Sequence, residues 1–358
     1  MDFPPSISLE KIKKVTFPRQ LISSTRKSGA ADVVKIGAYW YTLSYPSCLE
    51  GSQLKKAISI SIGSSRRDKI TRVDLLGQTV EIERRGTDGD MQAAKRLYTE
   101  LDGQVDAFGV GGADLGLFVN GHFYPLPSIM DLVSNVKYTP IADGTGLKVT
   151  LESKAGRIVE EQLGSYLKHK RVLLAAGVDR WGMALSFAER GFDCQFGDMM
   201  FGLGIHWPLH SLQGVTRLAK VLIPIISHVP FEWLYPVGEA QHKRTPKFQK
   251  NFEWAEVIAG DCHYIRRYMP ERLDGKIIVT NTTTPEDQAA FRQAGVAALV
   301  TTTPVLDGRS FGTNMMEAAL AAASGRTTPI DYTNPDAYFA TLAKQVEQVG
   351  LTPQVQIL

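Results

Sequence analysis

The chain reads as an α/β protein: a small N-terminal α/β domain and a Rossmann-like, doubly wound parallel-sheet domain with an interdomain cleft. Three observations predict this class. Short apolar runs such as "RVLLAAG", "AEVIAGD", "KIIVTN" and "AALVTTTP" recur at helix-length intervals, as in parallel strands covered on both faces. Several of these runs end in glycine or polar residues, the mark of a loop that leads into a helix. The length of 358 residues exceeds what one core encloses well, so two domains are expected.

Residues 1–55 form an N-terminal extension without clear period, in which "VVKIGAYWYTLSY" suits a strand and Tyr39, Trp40 and Tyr41 suit docking of a partner. Residues 56–145 make the small domain. "KAISISIGSS" is a strand ending in a polar turn, "QTVEIERRGTDGD" a second strand, "MQAAKRLYTELDG" a helix and "VDAFGVGGADL" a strand breaking into a glycine-rich loop. Asn120-Gly121 between apolar flanks signals a two-residue hairpin. "IMDLVSNV" is a short helix and "KYTPIADG" a closing strand. The second domain spans 146–325. It opens with a bridging helix, "GLKVTLESKAGRIVEEQLGSYLK", continues through the parallel strands (with "DCQFGD" among them), and closes on the helix "FGTNMMEAALAAASG". Residues 326–358 are a C-terminal tail with one more helix.

Composition excludes several classes. Apolar residues are 44% and charged residues 22%, with a formal charge of +3, which suits a soluble globular chain. The basic clusters are only pairs (Arg66-Arg67, Arg84-Arg85, Arg266-Arg267), too short for a nucleic-acid groove. Cys48, Cys194 and Cys262 are scattered and odd in number, which fits a reducing compartment and no disulfide framework. His206 and His210 are spaced i, i+4, but Pro208 spoils helical presentation, so no metal site is expected. The N-terminus lacks an apolar signal core, and 221–237 carries three prolines, His228 and Glu232, too interrupted to span a bilayer. The expectation is a cytoplasmic protein with a small-molecule substrate and no membrane or nucleic-acid partner; a homodimer is left open.

After the run 171–176 comes "GVDRWG". In G-x-G-x-x-G the first glycine permits a tight turn, the second lets the backbone approach a pyrophosphate, and the third allows close helix–strand packing. Gly177 and Gly182 hold the first and third places, and Asp179 holds the second. A carboxylate about 4 Å from a phosphate charge repels it by about 4 kcal/mol at an effective dielectric of about 20; Arg180 beside it offsets part of this. Asp198 stands 21 residues after Gly177, at the end of the next strand, where an acid binds ribose and favours NAD over NADP. NAD is therefore the expected cofactor and NADP the alternative, with Asn281, Thr282 and Thr302 at later strand ends lining the cleft. The plainer reading of the same residues is a generic βα unit with turn and packing glycines and a strand-end acid.

The layout of small domain, strand ending in "ADGTG", bridging helix, glycine-loop unit and late "GTNMMEAALAAASG" helix resembles the shikimate/quinate dehydrogenases. Stretches such as "ERRGTDGDM", "FEWLYP", "VIAGDCHYIRRYMP" and "LVTTTPVLDGRSFGTNMMEA" resemble more closely a bacterial quinate 5-dehydrogenase-like group, over nearly everything after residue 55. The resemblance implies an NAD(P)-dependent oxidoreductase acting on a hydroxylated ring acid. It implies Asp143 as the catalytic aspartate and Ser64 and Ser65 as substrate ligands. The loop that carries the family's lysine is here "GVGGADL", which holds no lysine and offers Asp114 as a further candidate substrate ligand. Lys148, five residues after Asp143, is the substitute. An Asp–Lys pair in a closed cleft shifts both groups toward the pKa a proton transfer needs. Otherwise Asp143 is a turn or helix-capping aspartate and the serines are a polar strand end.

Three further residues are candidates. His263 in "GDCHYIRRY" follows a strand and suits a general base, or a capping turn. Thr87 and Asp88 in "GTDGDM" precede a helix, where capping is the default and hydroxyl recognition the alternative. The competing functional class is a non-redox protein that binds a small ligand or partner on a dehydrogenase-like scaffold.

Overall fold

The computed structural model describes residues 22–28, 31–36, 39–44, 54–227, 244–303, 305–306, 309–328, 330–331 and 335–358. Two compact units divide the chain, residues 1–53 and 54–358. In the first, β1 (Ile22–Ser28), β2 (Ala31–Ile36) and β3 (Tyr39–Ser44) form an antiparallel sheet, with Val34 opposite Tyr41. The stretch expected to be one strand is therefore two.

The second unit holds two larger sheets. The first is built from β4 (Lys55–Ser61), β5 (Lys69–Leu75), β6 (Gln78–Gly86), β7 (Ala107–Gly111) and β10 (Ile141–Ala142), with α1 (Met91–Leu101) between β6 and β7. Its order is β10-β7-β4-β6-β5, parallel except for β5. Strand β5 was not expected. It is joined to β6 by Leu76 and Gly77, both left-handed at φ 51° and 77°, the two-residue hairpin geometry that a leucine disguises in sequence. The hairpin expected at Asn120-Gly121 joins β8 (Gly116–Val119) to β9 (His122–Pro125), and both turn residues are left-handed. Helix α2 (Pro127–Met130) follows.

The expected bridging helix is broken. It consists of α3 (Thr145–Thr150), a 3₁₀ turn over 152–154, and α4 (Ala155–Leu163). The second sheet follows: β11 (Arg171–Leu174), α5 (Trp181–Glu189), β12 (Asp193–Phe196), α6 (Leu212–Ile226), α7 (Gln249–Trp254), β13 (Val257–Ala259), α8 (Cys262–Tyr268), β14 (Ile277–Thr280), α9 (Pro285–Gln293) and β15 (Ala298–Thr301). A short pair, β16 (Val305–Leu306) and β17 (Arg309–Ser310), precedes α10 (Thr313–Ala323), α11 (Asp336–Gln348) and β18 (Gln354–Ile357). The sheet order is β12-β11-β13-β14-β15-β18. Five strands are parallel, and β18, another strand missed in the tail, is antiparallel at the edge.

Alternation of buried residues shows that this sheet is covered on both faces. Val172, Leu174, Val257, Ala259, Ile277 and Val279 pack with residues of α4, α5 and α6, such as Val159, Phe187 and Val215. Leu173, Ile258, Ile278 and Leu299 pack on the other side with Phe252, Ile265 and Phe291. Period-2 burial on two faces explains why these strands read as unbroken apolar runs. Helix α10, expected to close the second domain, instead lies on the first sheet, where Met316, Ala319 and Leu320 share a core with Val80, Ile82 and Ala107. The chain thus returns to its first half. Among the described residues no helix is long and apolar enough to cross a membrane.

Candidate functional site

Strand order 2-1-3-4-5 places a topological switch between β11 and β13, and open α/β sheets bind ligands beyond the carboxyl ends of their strands at such a point. Asp179 and Arg180 follow β11, Asp261 follows β13, Asn281 follows β14 and Thr302 follows β15. From the other half come Asp114, after β7, and Lys148, on α3. These side chains meet.

Lys148 is 8% exposed. Its Nζ donates to Asp114 Oδ2 and to Asp179 Oδ1, both at 2.7 Å. Arg180, 3% exposed, ion-pairs with Asp179 Oδ2 at 3.1 Å and donates to Glu152 Oε1 at 2.5 Å and Asp261 Oδ2 at 2.8 Å. Asn281 Nδ2 also donates to Asp261 Oδ2, at 3.1 Å, and the Thr302 hydroxyl lies 3.5 Å from Glu152 Oε1. Two cations thus face four carboxyls, an excess of acid that burial makes expensive to ionise. The excess shows in the pKa values. Burial pushes Asp114 up to about 7 against the pull of Lys148, with Asp179 adding to the rise. Burial also raises the Glu152 pKa from its ordinary value, although Arg180 and Lys148 oppose it. For Asp179 burial is outweighed by Lys148 and Arg180, which hold its carboxyl below the usual range. Asp114 and Asp179 share the Lys148 ammonium, so one proton near neutrality belongs to the carboxyl pair around Lys148. Beside it lies a cavity of about 10 Å³ lined by Gly116, Leu117, Thr145, Lys148, Asp179 and Trp181, room for about one water.

Asp143 and Lys148, expected as a catalytic pair, each bond to other groups. Asp143 is 2% exposed, and its oxygens accept the Leu115 and Thr145 N–H groups, each at 2.9 Å. It clasps the β7–β8 loop to the start of α3, as the reading of a turn aspartate before glycine expects; the helix N-cap itself is Gly144. Lys148 turns instead to Asp114, the aspartate standing in the loop where the resemblance placed a lysine. His263 is exposed on α8, and its backbone N–H serves the Asp261 N-cap at 2.9 Å, the capping turn offered as its alternative. The predicted substrate residues Ser64, Ser65, Thr87 and Asp88 knit one turn. Ser65 donates through N and Oγ to Asp88 at 2.8 and 2.7 Å, Ser64 Oγ accepts from Arg66 N at 3.3 Å, and Thr87 N donates to Ser61 O at 2.8 Å. Thr282 is half-buried beside Asn281.

The glycine loop does not present a cradle for a diphosphate. Asp198 accepts Gly177 N–H at 3.1 Å and Val178 N–H at 2.8 Å, the donors a phosphate would use. Burial pushes Asp198 up to about 6 despite those bonds. Gly182 performs only its packing role: a Cβ there would stand 2.2 Å from the Lys148 carbonyl oxygen. The residues present do not fit a dinucleotide bound in the expected way.

Sequence reasoning missed Glu152 and Glu317. Lys148 and Glu152 are four apart in the bridging segment, a spacing that places them on one helical face. Glu317 is the lone acid of an apolar helix. Fully buried, it accepts from Tyr338 Oη at 2.5 Å and from Leu147 N at 2.9 Å, and burial raises its pKa to about 8.

Residues 146–358 match the model of the family described as Domain of unknown function (DUF8754). The chain belongs to the DUF8754 family. Residues 56–143 match a second model, Domain of unknown function (DUF8753). No curated protein matches the chain. Among solved structures, similarities include a sugar ABC transport substrate-binding protein from Bordetella parapertussis (13% identity, 79% of this chain and 86% of that one, TM-score 0.33). The malic enzyme of Entamoeba histolytica is 13% identical over 74% of this DUF8754 chain and 53% of its own, TM-score 0.34. GanP, a glucose-galactose binding protein from Geobacillus stearothermophilus, is 10% identical over 85% and 98%, TM-score 0.34. Similarities of this size assign neither fold nor activity.

Proposed function

We propose that this DUF8754 chain binds a small hydroxylated acid at the junction of its two sheets and exchanges a proton with it through the Lys148–Asp114 pair, without a nicotinamide cofactor. The observation that carries this is Lys148 Nζ held at 2.7 Å from two carboxyls, one of which keeps its proton to about pH 7. A group of that kind both gives and takes protons at working pH. The strand order and two-sided burial support a doubly wound, Rossmann-like reading of the second half, with the ligand at its switch point. Buried Cys194 and Cys262 suit a reducing, cytoplasmic setting. The 10 Å³ cavity means that a ligand must part β8 from α5 to enter.

The NAD-dependent oxidation of a ring acid is the second reading. The Asp–Lys centre favours it, since removing hydride from an alcohol needs a base for the hydroxyl proton; the bonds from Gly177 and Val178 to Asp198 weigh against it. Calorimetry tests the first reading. Quinate or shikimate is titrated at about pH 7 in two buffers of different ionisation enthalpy. A buffer-dependent heat, lost in Asp114→Asn, is expected; equal heats in both buffers would sink the proposal.

A further inference from the structure

A second cluster lies away from Lys148, at the carboxyl ends of β4 and β6. Arg84 has a side chain only 10% exposed. Its Nη1 donates to Ser64 O at 2.9 Å and Asp68 Oδ1 at 2.7 Å, and its Nη2 to Ser61 Oγ at 2.9 Å. Arg67, from the turn after β4, comes to the same place. The position of a Cβ on Gly63 is 2.9 Å from Arg67 Nη2 and 3.3 Å from Arg84 Nη2, so both guanidinium ends converge on one glycine. After burial, Arg67 is the next cause that lowers the Arg84 pKa, the sign of two like charges in close company.

Among the described residues no neighbouring acid pairs with Arg67. Asp68 accepts from Arg84 and from Gly86 N at 2.7 Å, and Asp88 is taken by Ser65. Among the described residues the Arg67 side chain has no hydrogen bond or ion pair, and the Ser64 N–H in the same turn has no acceptor. With Arg84 fixed by Asp68, the Arg67 guanidinium crowded against it and the unspent Ser64 amide are the donors left for an incoming anion.

We propose that Arg67 and Arg84 form a binding site for the oxyanion group of a small molecule, a carboxylate or a phosphate, whose planar fork of donors suits either. The site lies beyond the carboxyl ends of parallel strands, where ligands of α/β sheets collect. It adjoins the Asp114 loop, because the Cβ position of Gly112 is 3.4 Å from Gly63 N. It depends on its own donors and not on proton exchange at Lys148.

The full chain is titrated with inorganic phosphate and, separately, with acetate at constant ionic strength, followed by amide NMR of the 61–68 turn. Saturable binding in the millimolar range is expected. It should weaken about tenfold or more in Arg67→Gln, since a charge-assisted hydrogen bond is lost, with the unfolding midpoint unchanged and with Lys148→Met behaving as the parent chain. Tighter phosphate than acetate assigns a phosphorylated ligand, and the reverse a carboxylic acid. Shifts that do not saturate, or that are the same in Arg67→Gln, overturn the site. So does loss of binding in a Lys148→Met chain whose amide spectrum is still that of the folded protein, which would place the anion at the other centre.

Discussion

Arg180 is the residue on which the acidic junction depends. It touches Asp179, Glu152 and Asp261 at once, and removing one partner of a buried charge network leaves the others desolvated and unpaired, a loss of about 3–5 kcal/mol. Arg180→Met is expected to lower the urea unfolding midpoint by that equivalent; a loss below about 1 kcal/mol would show that the acids find other partners or simply protonate. Glu152→Gln tests the opposite side. Among the described residues Glu152 Oε2 is buried without a hydrogen-bond partner and burial favours its protonated form, so the neutral amide should change stability by no more than about 1 kcal/mol. The sequence showed part of this. Lys148, Asp114, Asp179 and Arg180 were all legible as polar residues at loop starts and on a bridging helix, but which carboxyl meets the lysine is set by strand register. A one-dimensional reading cannot rank Asp143, five residues away in sequence, below Asp114, thirty-four away.

Two contacts between elements decide whether the halves of the molecule hold together. Helix α5 touches α3 through Gly182, and a methyl group at 2.2 Å from the Lys148 carbonyl has no room. Gly182→Ala should therefore lower stability by about 1–3 kcal/mol or more as the helices part, and it should enlarge the cavity beside Lys148; an unchanged midpoint would mean that α3 moves freely. Helix α10 holds α3 through Glu317, whose carboxylate accepts the Leu147 N–H near the start of α3 and the Tyr338 hydroxyl. Its folded pKa of about 8 stands above the ordinary 4.5. The fold thus binds this proton more tightly than the unfolded chain does, and the stabilisation is full below about 4.5 and declines as pH rises through 8. The difference in unfolding free energy between the parent and Glu317→Gln, measured from about pH 5 to about pH 9, should change in favour of the variant as pH rises. A constant difference would show that Glu317 stays charged in the fold.

At the scale of the whole molecule, the parallel strands were legible because both faces of the second sheet are buried, leaving uninterrupted apolar runs. The edge strands β5 and β18 were not, because each has an exposed face and reads as polar; β18 alternates as "QVQI" with one half-buried valine. The placement of α10 was hidden for a different reason: an alanine-rich helix fits either sheet, and only tertiary packing chooses. The glycine loop is the most instructive case, since its sequence and its geometry point to different occupants. Its first and third glycines stand where a dinucleotide loop has them, and the acid 21 residues on is present, yet that acid reaches back to the loop and satisfies Gly177 and Val178 itself. A diphosphate entering there must displace a carboxylate held by two N–H donors and settle beside Asp179, which is already paired with Lys148 and Arg180. Titration of the parent chain with NADH and NADPH should therefore give no saturable heat at millimolar concentration. Micromolar binding of either, weakened by Asp198→Ala, would show that Asp198 turns outward to a ribose and would restore the oxidoreductase. Binding that appears only in Asp198→Ala would instead identify this carboxylate as the loop's built-in anion.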